Sequence, residues 1–433
     1  MTLRVAAIGL FVLVSHDALA VAQVSSAPSA ASFIDGSDGL TLSQAIETAL
    51  SREPGIQSAR ASIDAARGFA TQAGLRSNPS VSFAQQEEPG GTDAQTRVEL
   101  QWPLDFRRGA RVQAADSSLV ATQAEVASKE RDMVASIRER YGAALTAIRE
   151  LSISEDLLSA AAAQENLIAA RVDQGAAPEI DRRLARGETL QLRAERVELA
   201  GRAERELIEL KRLLGMPPDA PLHLRASLDD VIRQEGDAAQ RGDLEQRADL
   251  VEARARVSLK QAELNRVRSE GKPDVTLFGM YMRMDAGFPQ SGFGEAGAIE
   301  RVRGVFHYVS AGVMVSLPVF NRNQGNVTAT EAEGVAAAMA LDAARLRATA
   351  EVTAAQIRVA RANEASLAYN DARTLARQNL DVLEQSYQLG RATLTDALDQ
   401  RRRYLDAERR YTTALGELFA ARQGLRHASG DLR

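Results

Sequence analysis

Leu100-Gln101-Trp102-Pro103-Leu104 and Val315-Ser316-Leu317-Pro318-Val319 are two copies of one short pattern, set 215 residues apart. In both, an apolar residue, a polar one and a second apolar one lead into a proline. The same offset of 215 relates Gly175 and Asp181 to Gly390 and Asp396, and Leu190 to Leu405. Upstream the offset is 194: Ala59-Arg60 matches Ala253-Arg254, and Pro79-Ser80-Val81 matches Pro273-Asp274-Val275. The second copy therefore holds 21 more residues between its two prolines than the first. Offsets this constant over most of a chain identify an internal duplication.

Proline placement then delimits the elements. No proline lies between Pro103 and Pro178, and none follows Pro318. An interior proline costs a helix about 3 kcal/mol, so these proline-free stretches are where long helices fit. Met133, Ile137, Tyr141, Leu145 and Ile148 recur at helical spacing, as do Leu394, Leu398, Leu405, Leu415 and Phe419. A helix from Ala110 to Val172 spans roughly 95 Å at 1.5 Å per residue, too long to fold back on one globular core. Such helices must pack side by side with partners.

Each copy also holds a strand pair. Val98, Leu100 and Trp102 alternate with Arg97, Glu99 and Gln101, a period of two. The partner runs from Ser80 to about Gln86, across a Glu-Glu-Pro-Gly-Gly-Thr-Asp loop. In the second copy, Val275 to Met284 and His307 to Leu317 flank the longer, glycine-rich loop, expected to face the cell exterior. Strands of about ten residues with one apolar face fit a membrane-spanning barrel. Four strands cannot close a barrel, for which eight is the practical minimum, so a barrel would be shared between subunits.

The N-terminus reads as a secretory signal: Arg4, an apolar run Val5 to Val14, then a small-x-small site at Ala18-Leu19-Ala20. The expected organisation is a signal at 1–20 and a flexible segment at 21–39. The first repeat spans 40–225, with strands about 79–103 and a helix hairpin about 109–215. The second spans 236–430, with strands about 273–318 and a hairpin about 325–428. The chain has no cysteine, hence no disulfide and no lipid-carrying thiol, and its four histidines are scattered. No zinc cluster, nucleophile motif or phosphate loop is present, so no catalytic, cofactor or metal site is expected. A net charge of −5 gives no basis for nucleic-acid binding.

On these features the sequence resembles the TolC-like outer-membrane efflux proteins, from about Leu40 to Gly430. Leu40-Thr-Leu-Ser-Gln-Ala-Ile46, closing at Glu53-Pro54, is similar to that family's opening helix motif, and the Gly175 and Gly390 segments resemble its helix-hairpin tips. Leu317-Pro-Val-Phe-Asn-Arg-Asn-Gln-Gly325 looks like the metal-efflux, CzcC-like branch. The resemblance implies a mostly α protomer with a small β part, trimerising into a twelve-stranded outer-membrane barrel on a periplasmic helical tunnel. It implies a periplasmic adaptor and an inner-membrane resistance–nodulation–division pump as partners, and lipid around the barrel.

The tip Tyr387-Gln-Leu-Gly390-Arg-Ala-Thr393-Leu-Thr-Asp396-Ala-Leu-Asp399 carries the candidate site. Gly390 suits a helix C-terminus, Thr393 can cap the returning helix, and Asp396 and Asp399 share one helix face. By resemblance the two aspartates form a cation-binding gate, and Tyr387 and Asp181 a tether that closes it. The alternative is that the acidic residues only complement a helix dipole. The first tip keeps Gly175 and Asp181 but has Pro178 and Leu184 in place of Thr393 and Asp399, and the role of Arg391 stays open. Met280, Met282 and Met284 share one strand face opposite Tyr281 and Arg283. A soft-metal pathway along these sulfurs is the alternative reading. Because arginine facing lipid is costly, however, the methionines are expected to face lipid with Phe278, and the duct is expected not to bind a metal cargo tightly. Trp102, Tyr281 and Tyr308 fit interfacial belts. Two other readings are a conduit for type I protein secretion and a secreted coiled-coil structural protein.

Overall fold

The structure, a computed structural model, describes residues 27–89, 93–235 and 243–431. The signal at 1–20, the first part of the 21–39 segment and Gly90 to Thr92 lie outside them. Residues 27–39, expected to be flexible, carry instead a 3₁₀ turn, Ala30–Phe33, with Ala30 buried. Its Ala30 N–H donates to Glu155, and Arg196 donates to the carbonyls of Ala27 and Pro28. Backbone groups with partners of this kind hold a terminal segment down, which composition could not reveal.

Two short helices follow, α1 (Leu42–Arg52) and α2 (Pro54–Gly74). Thr41 opens α1 in a reciprocal capping box with Gln44. Glu53 accepts from Ile56 N–H and Pro54 occupies the first turn of α2, where its missing N–H costs nothing. Next come β1 (Ser80–Glu87), β2 (Ala94–Leu104), the 66-residue α3 (Arg108–Asp173) and α4 (Glu179–Leu213). A connector with α5 (Leu228–Glu235) leads to α6 (Ala248–Glu270), β3 (Asp274–Phe293), β4 (Ile299–Ser316), the 65-residue α7 (Gln324–Gln388) and α8 (Leu394–Ser429).

The four strands form one antiparallel sheet in the order β1-β2-β3-β4, which leaves β1 and β4 as edges. Pro103 lies beyond Ser80↔Gln101, the last β1–β2 pair, where β2 has no neighbour on that side. The 21 additional residues do not form the expected long loop. They extend the hairpin: β3 and β4 remain paired as far as Phe293↔Ile299, and Gly297 with φ 74° sits in the turn. Glycine supplies the positive φ a tight turn requires.

Register sorts the sheet into two faces. Val81, Phe83, Val98, Leu100, Trp102, Leu277, Tyr281, Val309, Val313 and Val315 fall on one, all of them exposed. Ser80, Ser82, Gln95, Arg97, Glu99, Gln101 and Ser310 fall on the other, which is polar over β1 and β2 and to which β3 and β4 add Phe278, Met280, Met282, Met284, Phe306, Tyr308 and Met314. The apolar face is the one that can meet hydrocarbon. Met280 pairs with Glu99 and Ser310, Met282 with Arg97 and Tyr308, Met284 with Gln95 and Phe306. The methionines thus share the polar face, contrary to the expectation that they face lipid. Arg283 had suggested otherwise, but it lies midway along β3 where the β2 pairing ends, opposite Thr96 and His307 and ion-paired to Asp285 at 3.2 Å. A long cationic side chain there reaches past the apolar band. Trp102 and Tyr281 lie on the apolar face and Tyr308 on the other.

The main core lies where α1, α3, α4, α5 and α8 meet. Ile137, Tyr141, Leu145 and Ile148 of α3 pack with Leu207 and Leu210 of α4 and Leu415 and Phe419 of α8. Helix contact is close where glycine allows it. A Cβ on Gly142 would stand 2.3 Å from the Phe419 ring, and one on Gly416 would stand 2.6 Å from the Thr146 hydroxyl. The α3–α8 seam is therefore a reciprocal pair of notches, each receiving a side chain from the other helix.

Candidate channel entrance

The ends of the two helix hairpins are built by local chain chemistry. At Gly390, φ 72°, the Gly390 N–H donates to Tyr387 O and the Arg391 N–H to Ser386 O, a Schellman closure. At Gly175, also φ 72°, Gly175 donates to Val172 O and Ala176 to Arg171 O. Gly215 and Gly430 repeat the closure at the ends of α4 and α8, again 215 residues apart, a correspondence that sequence reading passed over. Beyond Gly390 the chain turns through Thr393, which accepts from Asp396 N–H while the Asp396 carboxylate accepts from Thr393 N–H and hydroxyl at 3.1 and 2.6 Å. In the first tip Pro178 occupies the capping position with no side-chain bond.

Asp396 is therefore first a capping-box partner. The Thr393 hydroxyl and N–H hold its carboxyl below the usual carboxylate range, so it is an anion at neutral pH. Asp399, one turn on, is exposed and lies 3.8 Å from Arg402. Arg402 also reaches across to Glu188 of α4 at 3.0 Å, joining the two hairpins. Beneath them Ile168, Ala185, Leu394 and Leu398 form a small apolar cluster against which Val172 and Tyr387 pack. The Arg171 guanidinium lies 5.9 Å from the centre of the Tyr387 ring. Asp181 is half-buried in the first turn of α4, and among the described residues neither an ion pair nor a hydrogen bond joins it to Tyr387 in the protomer. Arg391 is exposed and contributes its backbone to the closure. Glu188 and the apolar cluster were not singled out from sequence. Their signal, burial of a charged residue on a second helix, exists only after folding.

Chemically the tip offers carboxylates fixed at a helix start. No helix among the described residues is long and apolar enough to cross a membrane. The sheet has one apolar, exposed face and two open edges. The chain belongs to the outer membrane efflux protein family, whose profile matches residues 45–216 and 243–431. It is a passive efflux channel of the outer membrane with a large helical part, not an enzyme, and the reading as a secreted coiled-coil protein falls. It is 23% identical to the cobalt-zinc-cadmium resistance protein CzcC of Cupriavidus metallidurans over 391 residues, 88% of each chain. Among solved structures it resembles the channel CusC (TM-score 0.73, 17% identity, 94% of this chain and 95% of that one). It also resembles VceC of Vibrio cholerae (TM-score 0.71, 22% identity, 90% and 96%). The outer-membrane channel OprN matches with TM-score 0.71 at 20% identity, covering 93% and 95%.

Proposed function

We propose that three copies of this chain form the outer-membrane duct of a tripartite pump, and that its cargo is metal cations. The observation that carries the assembly is the open four-stranded sheet. In hydrocarbon an unpaired strand edge leaves several kcal/mol of backbone polarity unsatisfied per group, so β1 of one copy must pair with β4 of the next. Three copies give the twelve strands of a closed barrel with its polar face around a lumen. A periplasmic adaptor and a resistance–nodulation–division pump deliver the cargo to the helical end. The likeness to a cobalt-zinc-cadmium resistance protein supports metal cargo over protein export.

At the helical end Asp396 and Asp399 of three copies stack as two rings of carboxylates. Like charges at short range are relieved by bound cations, so the entrance favours cations and is blocked by multivalent ones. Tyr387 and Asp181 hold the tips together when the entrance is shut. Purified protein in planar bilayers tests this: a cation-selective conductance blocked by a trivalent cation is expected, and an anion-selective or unblockable pore overturns it.

A further inference from the structure

We propose that Met280, Met282 and Met284 form a thioether ladder on the lumen wall that binds soft monovalent metal cations, of the silver(I) or copper(I) class. The inference rests on the reading above that the polar face of the sheet lines a lumen. The three residues occupy successive positions of one face of β3, where residues two apart are roughly 6.6 Å apart. Each carries a flexible unbranched side chain, so neighbouring sulfurs can converge on one ion.

Their surroundings separate sulfur chemistry from plain filling. The inward positions of β1 and β2 are polar but for Ala84 and Pro103, as a water-filled barrel requires, and the methionines are half-buried beside them. The Gln95 side-chain amide donates to the Met282 sulfur, so a thioether lone pair is presented to polar groups. Arg97 flanks Met282 and Glu99 flanks Met280, and their charges cancel. What the wall offers a cation at this height is therefore softness and not field, and thioether selects soft monovalent ions over zinc or cobalt. The chain has no cysteine to compete, and among the described residues no cluster of three or more His, Asp or Glu could hold a metal. Phe278, Phe306 and Tyr308 line the same face, so sulfur–aromatic packing is the rival explanation.

Leucine keeps the volume and the packing but removes the sulfur. Calorimetric titration of detergent-purified protein with silver nitrate, wild type against M280L/M282L/M284L, tests the ladder. Affinity for silver is expected to fall at least tenfold in the variant while zinc nitrate titrates both alike; equal silver binding overturns the proposal. Should the variant fail to assemble, wild-type protein labelled at the methionine methyl carbons gives the answer. Silver must then perturb three methyl resonances at substoichiometric ratios, and perturbation of only the methyls that persist in single M280L, M282L and M284L variants overturns it. Binding is read without conduction, so a wild type that fails to conduct in bilayers refutes the duct and leaves the ladder to its own measurement.

Discussion

At the scale of single residues, Asp396 and Asp399 differ although sequence treats them alike. Asp396 closes a capping box with Thr393; Asp399 has only a long contact to Arg402. Thr393→Ala is expected to fray the start of α8 by about 1 kcal/mol, seen as faster amide exchange at the tip, with ion selectivity unchanged. Asp399→Asn is expected to do the reverse, moving the bilayer reversal potential toward anions while leaving exchange as in the wild type. If Asp399→Asn selects and blocks like wild type, the acidic rings are helix-start charges and no gate. The depressed Asp396 carboxyl stabilises the tip above its ordinary value of 3.8, and that contribution is lost as pH falls below it. Thr393 as a cap and Gly390 as a C-terminus were legible because both are local backbone chemistry. The methionines were not, because a strand's two faces become inward and outward only when its neighbours are known.

At the scale of elements, the notches between α3 and α8 set a sharp test. Gly142→Ala drives a methyl into the buried Phe419 ring, and overpacking of this kind costs about 1–3 kcal/mol. Thermal unfolding in detergent should show the loss, and pairing it with Phe419→Leu should recover part of it; a Gly142→Ala protein as stable as wild type would refute the seam. A second joint ties four helices. Arg247, 1% exposed, ion-pairs Asp249 at 2.7 Å and Glu351 of α7 at 2.8 Å and donates to Ala428 O at the end of α8. Close by, Arg131 of α3 donates to His427 O. Burial, and then the Arg131 charge, push the His427 imidazole below its ordinary 6.5. The sign follows: the folded state disfavours the imidazolium, so stability falls as pH drops below about 6.5. His427→Gln should flatten that part of the stability–pH curve; a variant with an unaltered slope would remove His427 from the account. Helix positions were legible from proline-free, periodic stretches, while the notches were not, since a glycine in a helix carries no mark of the ring that fills it.

At the scale of the molecule, both sheet edges and much of the helical surface lie uncovered in one copy. Val335, Met339, Leu346 and Ile357 along α7 are all more than half exposed, an apolar row consistent with neighbouring protomers. Light scattering in detergent is expected to give three copies, and cysteines placed singly in β1 and β4 of this cysteine-free chain should crosslink only between copies. A stable water-soluble monomer would overturn the assembly. The β3–β4 hairpin projects from the end of the sheet away from the helices, so protease added to intact cells should cut between Gly294 and Gly304; cutting only after the outer membrane is opened would reverse the topology.

By itself the sequence determined the duplication, from motifs repeated at a constant offset, and the four strands, the long helices and the two tips, because these depend on periodicity, proline and glycine acting within a few residues. Tertiary structure alone decided which side chains share a face across the four strands, that the additional residues lengthen a hairpin, that the segment before α1 is held down, and that Glu188 and Arg402 join the hairpins. Those depend on cross-strand register and on contacts between residues far apart in the chain. Such contacts are set by which surfaces meet, and no window of sequence contains them.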